Sequence, residues 1–233
     1  MPELPEVLTI KRQLRSENII DNPIKAIAIK KNYSLKHSKD LFKKYVVGKR
    51  VIKIGNIAKL LYFKLDNGYY LACHLNMTGL LLLNIKDGYE KIGLTFKSGD
   101  TLNYSSVRMF GYFSVWDKEK LLEYQKKYAL TPIDKNFNIK GFYEKIKDRK
   151  INIKTLLLNQ QIISGIGNIY ANDALFLTKI HPLQKCCELS FTQVSDLVEN
   201  SKILLKEGIK NRGSSIDRYR DIYNKKGKQQ NFF

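Results

Sequence analysis

Acidic residues are scarce in this chain. It carries 22 Asp and Glu against 41 Lys and Arg, a formal net charge of +19 over 233 residues. Such a deficit points to a polyanionic partner, nucleic acid first and an anionic membrane surface second. Cysteine is scarce too. Cys73, Cys186 and Cys187 are an odd set with two adjacent members and no Cys-x-x-Cys spacing. That excludes a disulfide framework and a standard zinc finger, and it fits a reducing compartment. No apolar run is long enough to span a bilayer. Even LYFKLDNGYYLACHLNMTGLLLL is broken by Lys, Asp, Asn and His. No signal-peptide pattern, nucleotide or metal motif, internal repeat or long low-complexity tract is present. What remains is a chain of 43% hydrophobic residues, enough for one large domain or two small ones. Its basic residues are spread along the whole length, which favours a folded basic face over a disordered basic arm.

The patterning divides the chain in three. Residues 5–16 read as a helix, with Pro5 in the first turn, Glu6 at the positive end, and Val7, Ile10 and Leu14 on one face. From about 24 to 116 the period changes to that of strands. IKAIAIKK alternates strictly. LLYFKLDNGYYLACHL and IGLTFKSGDTLNY each place a turn signal, Asp-Asn-Gly or Ser-Gly-Asp, between apolar runs. This predicts an antiparallel sandwich or barrel. The charged stretch 118–135 reads as a linker between a first domain, 1–117, and a second, 136–233. In the second, NIKTLLLNQQI, NIYANDALFLTKI and FTQVSDLVENSKILLKEGI read as helices, with SGIGN as a tight glycine turn between the first two. The tail, DIYNKKGKQQNFF, is polar and basic.

The opening, MPELPEV, asks for a separate explanation. A helix start accounts for Pro5 and Glu6 but gives no reason for Pro2. If Met1 is removed, Pro2 carries a free secondary amine. An α-amine has a pKa of about 7.7–8.0 in model peptides, so part of it is neutral near neutral pH. Such an amine can attack an electrophilic carbon and form an iminium, and the neighbouring Glu3 can move protons.

PELPEV, IAKLLYF, HLNMTG, VRMFG, SGIGNIYANDALF…IHP and RGSSI follow one another along the chain in an order that resembles the formamidopyrimidine-DNA glycosylase / endonuclease VIII family of base-excision repair enzymes. The likeness runs from residue 1 to about 230. The Leu of PELPEV places it nearer the formamidopyrimidine branch. The resemblance implies an α+β fold: an N-terminal helix and antiparallel β-sandwich, then a helical domain with a helix–two-turns–helix motif, and duplex DNA in the cleft between. It implies a bifunctional glycosylase and abasic-site lyase that excises oxidised bases of the 8-oxoguanine or formamidopyrimidine type. No cofactor is implied, and the family's structural zinc is not expected without cysteine pairs. The expected partner is damaged double-stranded DNA, bound by a monomer inside a cell and away from any membrane. The alternative is a lesion- or abasic-site-binding protein on the same scaffold, impaired in catalysis.

By this resemblance Pro2 is the nucleophile at C1′, Glu3 the general acid that assists opening of the sugar ring, and Lys59 a phosphate contact that aids the chemistry. His74 matches a phosphate-contacting position; a histidine satisfied within the fold is the ordinary alternative. A flipped nucleotide leaves a hole in the duplex. Met77, Arg108 and Phe110 match the three side chains that fill it. Core packing is the competing account of Met77 and Phe110, but both adjoin glycine in turn-like sequence, which predicts exposure. Asn168 follows Gly165 and Gly167, where a glycine turn opening a helix offers N–H groups to a phosphate. Lys154 matches a lysine near DNA. Lys91 and Arg149 match by position, and solvated surface charge is the alternative for both.

The chain also departs from the pattern. SVRMFG lacks the family's Asp and Pro, Asn76 stands where Gly is common, and Arg218 replaces the usual Asp after the Gly-Gly-Thr-Thr-like stretch, in a lesion-covering loop at roughly 217–230. The sequence stops at Gln229–Phe233, about where a C-terminal finger would begin; the finger is expected to be absent from it, either because the sequence is truncated or because the enzyme works without that element.

Overall fold

The computed structural model describes residues 1–30, 35 and 38–232. Lys31 and Phe233, the last residues of two stretches read from the sequence, lie outside the described residues. Helix α1 spans Leu4–Ser16. The strands follow as β1 (Ile24–Ile29), β2 (Val51–Ile57), β3 (Leu60–Leu65), β4 (Tyr70–His74), β5 (Gly79–Leu83), β6 (Glu90–Phe96), β7 (Thr101–Ser106) and β8 (Tyr112–Trp116). They form two antiparallel four-stranded sheets, β1-β6-β7-β5 and β2-β3-β4-β8. The two turn signals fall where expected, Asp66-Asn67-Gly68 between β3 and β4 and Ser98-Gly99-Asp100 between β6 and β7. Helices α3 (Lys118–Lys126), α4 (Ile139–Ile146), α5 (Ile153–Leu157), α6 (Asn168–Leu177) and α7 (Phe191–Lys210) complete the chain.

Four elements differ from the sequence reading. Within the strand region lies a helix, α2 (Lys39–Val46). Ser38 caps it by accepting the Leu41 N–H at 3.2 Å, and Phe42 and Val46, one turn apart, enter the core. The stretch read as a linker contains α3, capped by Asp117 and packed by Leu121 against the outer face of β8. Helix α4, capped by Asn138, was hidden by its Gly and by its short apolar stripe of Phe142 and Ile146. The predicted helix NIKTLLLNQQI, by contrast, is helical only over the five residues of α5. After it the chain turns, because Gln160 bonds to backbone of the glycine loop instead of continuing outward.

The two apolar cores share one helix. Val7, Ile10 and Leu14 of α1 pack inside the sandwich with Phe63, Phe96 and Phe113. Leu4, at the head of the same helix, packs among Ile163, Ile166 and Tyr170 of the helical half. The C-terminal segment returns to the first core: Tyr219 and Ile222 are buried there, and the Ile222 carbonyl accepts the Leu83 N–H at 2.8 Å. No helix of the described residues is long and apolar enough to cross a membrane.

Candidate active site

The head of α1 is buried against the glycine turn before α6. Met1 is exposed, while Pro2 and Glu3 are buried. With Met1 in place the Pro2 nitrogen is an amide; without it, a secondary amine. The Glu3 carboxylate accepts N–H bonds from Gly167 at 2.6 Å and Ile169 at 2.9 Å. Glycine is required at 167, because a Cβ there would lie 2.4 Å from the Glu3 carboxyl carbon. Gly165 has φ of +89°, a left-handed conformation costly to other residues, and its carbonyl accepts the Leu4 N–H at 3.1 Å. The glycine turn therefore serves a protein carboxylate. Two N–H groups expected to be open to a phosphate are taken by Glu3, and Asn168, between them, is exposed.

Lys59 reaches the same place from the turn between β2 and β3. It is 7% exposed, and its Nζ donates to the Ile166 carbonyl at 2.7 Å. Burial pulls its pKa down, and the charges of Glu3 and Glu6 oppose that fall. Burial pushes the Glu3 carboxyl up to about 7; Lys59 restrains the rise and Glu6 adds to it. Sequence reasoning gave Glu6 only a place in a helix start. In the structure it is fully buried, and its Oε2 accepts the Glu3 N–H at 2.7 Å. Its Oε1 accepts the Tyr170 hydroxyl at 2.9 Å and the Ser214 N–H at 2.7 Å. Burial raises its pKa against the pull of those bonds. The Glu-x-x-Glu spacing at a helix start was the available signal, since a side chain three residues in can reach back to the capping N–H. Chemically, the site places a carboxyl raised to about 7 beside Pro2, with the charge of a buried lysine acting on that carboxyl.

The neighbouring rim is open. Antiparallel register sets Leu60 opposite His74 and His74 opposite Tyr112. Lys59 and the loops after β4 and before β8 therefore leave the sheet at one end. His74 is half-buried; its Nδ1 accepts the Asn76 N–H at 3.1 Å, and its ring stacks on Tyr112 at 5.9 Å. The two loops are tied together. The Asn76 amide donates to the Phe110 carbonyl, the Arg108 N–H donates to Thr78 Oγ1 at 3.1 Å, and the Arg108 guanidinium lies 3.7 Å from the Met77 sulfur. Met77, Arg108 and Phe110 thus sit side by side and exposed, Phe110 at 61%. Asn76 has φ of 49°, which accounts for a position where the family commonly has Gly; Met109, at φ 54°, occupies the same region.

The remaining sequence-predicted residues are more dispersed. Lys91 lies on β6 in the other sheet, where its carbonyl accepts the Lys30 N–H at 3.0 Å. Arg149 is exposed and folds back on α4, its Nε donating to the Lys145 carbonyl at 2.9 Å. Lys154 is half-buried on α5. Among the described hydrogen bonds, none joins these three to the head of α1. Arg218 forms a contact the sequence did not disclose: it pairs with Asp87 at 3.3 Å and lies over the Tyr89 ring at 4.7 Å, fastening the C-terminal loop to the sandwich. The zinc of a finger finds no donor set here. Cys73 is in the sandwich core, Cys186 in the helical core, and no three His, Cys, Asp or Glu among the described residues gather closely enough to hold a metal.

Comparison with known proteins agrees with this geometry. Residues 1–113 match the formamidopyrimidine-DNA glycosylase N-terminal domain, and residues 128–220 match the formamidopyrimidine-DNA glycosylase H2TH domain. The formamidopyrimidine-DNA glycosylase of Chloroflexus aurantiacus is 36% identical over all of this chain and 85% of its own length. That of Mycoplasma mobile is 35% identical over all of this chain and 86% of its own. Among solved structures, the Lactococcus lactis protein Fpg in complex with DNA containing an abasic site superposes with a TM-score of 0.90 at 30% identity, covering 99% of this chain and 86% of that one. By sequence over its whole length and by fold, this chain belongs to the formamidopyrimidine-DNA glycosylase family.

Proposed function

We propose that this protein is a bifunctional DNA glycosylase and abasic-site lyase, excising oxidised bases of the 8-oxoguanine or formamidopyrimidine type. The observation that carries the reading is the Glu3 carboxyl, buried beside Pro2, held by two backbone N–H groups and poised at about 7. At that value it is both a competent acid and a competent base at neutral pH. Once Met1 is gone, the Pro2 nitrogen attacks C1′ of the damaged nucleoside. Glu3 delivers a proton to the sugar ring oxygen, the base departs, and a Schiff base links Pro2 to the opened sugar. Elimination then breaks the strand, and hydrolysis frees the enzyme. Lys59 supplies positive charge beside the reacting sugar. Met77, Arg108 and Phe110 enter the space left by the flipped nucleotide: Phe110 wedges between bases, Arg108 donates to the orphaned base, and Met77 fills the remainder. His74, Lys154 and Asn168 contact the phosphate backbone, with Lys91 and Arg149 in peripheral roles. In this reading the chain divides into a sandwich domain, 1–117, a connecting segment, 118–135, and a helical domain, 136–233, and duplex DNA crosses the junction.

Borohydride trapping tests this directly. Duplexes carrying one 8-oxoguanine or one abasic site are incubated with the protein and with a form that retains Met1. A covalent adduct that the Met1-retaining form cannot make is the expected result. Adduct on the abasic duplex alone keeps the lyase and redirects the search to other lesions. Tight binding with no adduct on either duplex defeats the proposal and favours a lesion-binding protein.

A further inference from the structure

Gln160 is a residue to which the preceding mechanism gives no part. It is half-buried in the turn after α5, next to an exposed Gln161. Its two amide atoms point in different chemical directions. Nε2 donates to the Ile166 carbonyl at 2.8 Å and to the Leu158 carbonyl at 3.1 Å, and Oε1 accepts the Gly165 N–H at 2.9 Å. Two of these groups, the Ile166 carbonyl and the Gly165 N–H, flank the left-handed Gly165, which lacks the stiffness a Cβ would confer. The Ile166 carbonyl is the same oxygen that receives Lys59 Nζ at 2.7 Å. The N–H of the same peptide unit, that of Gly167, donates the shorter of the two bonds to Glu3. The Gly165 carbonyl in turn holds the Leu4 N–H, at the head of the helix that carries Glu3. One side chain thus clamps the strip of backbone to which Lys59, Glu3 and the start of α1 are all attached.

We infer that Gln160 is a positioning residue, whose amide fixes the Gly165–Gly167 turn and through it the separation and orientation of Lys59 and Glu3. The inference deepens the proposed function and rests on it for its kinetic consequence, while its structural consequence can be read without any turnover. The position uses a donor and an acceptor at once, and the amide supplies both without a charge. An ionised carboxylate there would keep the Gly165 bond and lose the Ile166 bond. Without the clamp, the Ile166 carbonyl can rotate away from Lys59, and the ammonium loses its acceptor and withdraws. Glu3 remains buried but loses its cationic neighbour, so its titration moves to higher pH. The charged or titratable groups facing Glu3 are Lys59 from the sandwich, Glu6 on α1 and Tyr170 on α6; those facing Lys59 are Glu3 and Glu6. None of them is altered by changing residue 160.

Gln160→Met keeps side-chain length and removes all three bonds; Gln160→Glu, ionised, keeps only the bond from Gly165; Gln161→Met, on the exposed neighbour, is the control. Two readouts separate the inference from the function beneath it. In the first, the carboxyl carbon of labelled Glu3 is titrated by NMR in the protein without DNA. The Glu3 midpoint is expected to rise in Gln160→Met and to stay put in Gln161→Met. In the second, single-turnover release of the damaged base from a lesion duplex is followed against pH. Its rate constant should fall roughly tenfold or more with DNA affinity unchanged, and its alkaline limb, set by an acid that must stay protonated, should move in the same direction as the midpoint. If wild type forms no adduct, the proposed function fails and the NMR titration still decides the role of Gln160. An unmoved midpoint in Gln160→Met overturns the inference. So does a rate loss that merely tracks the unfolded fraction, with the alkaline limb in place.

Discussion

The head of α1 and the rim formed by the loops at 75–78 and 107–111 sit at the same end of the molecule and are built on opposite terms. Glu3, Glu6 and Lys59 are all buried, and each is bonded to main-chain groups from elsewhere in the chain. Met77, Arg108, Met109 and Phe110 are exposed, and the bonds there run between the two loops. Burial perturbs a pKa and fixes direction, which proton transfer needs. Exposure leaves apolar and cationic side chains available to a partner, which insertion into a duplex needs. The two regions divide the labour: one holds still, the other reaches out.

The comparison is broken most severely at Gly167. Gly167→Ala would drive a Cβ to 2.4 Å from the Glu3 carboxyl carbon. The acid must move, and base excision should fall about 100-fold or more, measured by single-turnover release of the damaged base. Glu3→Gln should slow excision on an intact lesion by about 100-fold while leaving cleavage of a preformed abasic site less affected. Equal losses on both substrates would count against the ring-opening role.

The same substitution sharpens the electrostatic half of the comparison. The folded-state pKa of Glu3 is raised from 4.5 to about 7. A raised carboxyl stabilises the fold fully below its unfolded value, and that contribution is lost as pH rises through the folded value. Between pH 4.5 and 7 the loss amounts to about 3 kcal/mol by linkage. The stability of Glu3→Gln relative to wild type should therefore improve by that order between pH 4.5 and 8 in denaturant titrations. A flat difference across this range would show that Glu3 is not held in a burial-raised state.

On the rim the order of effects reverses. Phe110→Ala should leave stability within about 0.5 kcal/mol, as expected of an exposed side chain. It should weaken lesion-duplex binding by about 1–3 kcal/mol, the range for loss of a base-stacking ring. Calorimetric unfolding and a binding titration check the two halves. The smallest effect belongs to Met109, which takes a left-handed φ of 54° without being glycine. Met109→Gly should raise stability by about 0.5–1 kcal/mol through relief of that conformation.

How much of this could be read from the residues follows the same division. The strands and their turns were legible because alternation and the Asp-Asn-Gly and Ser-Gly-Asp signals are local. The exposure of Met77 and Phe110 was legible because glycine stands beside each. Helices α2 and α4 were missed because each is eight residues long and offers two buried apolar positions, too few to establish a period. The use of the glycine turn was misjudged for a different reason. A local reading sees open N–H groups at a helix start, but cannot see a carboxylate arriving from 164 residues away. Gln160 was invisible on the same grounds, because its partners are backbone atoms, which leave no mark in composition or spacing; for Glu6 the Glu-x-x-Glu spacing marked the bond to Glu3 but not the distant partners Tyr170 and Ser214.

The long reach of those bonds has a consequence for the making of the protein. Glu3 waits for Gly167 and Ile169, and Glu6 waits for Tyr170 and Ser214. A ribosome that has delivered every strand, through Trp116, has not yet made any of these partners. Long-range closure of this kind is slow. A chain of that length can carry the loops of Met77, Arg108 and Phe110, but its Glu3 and Lys59 have nothing to aim them, so under the proposed function it has no means of cutting DNA that it meets early.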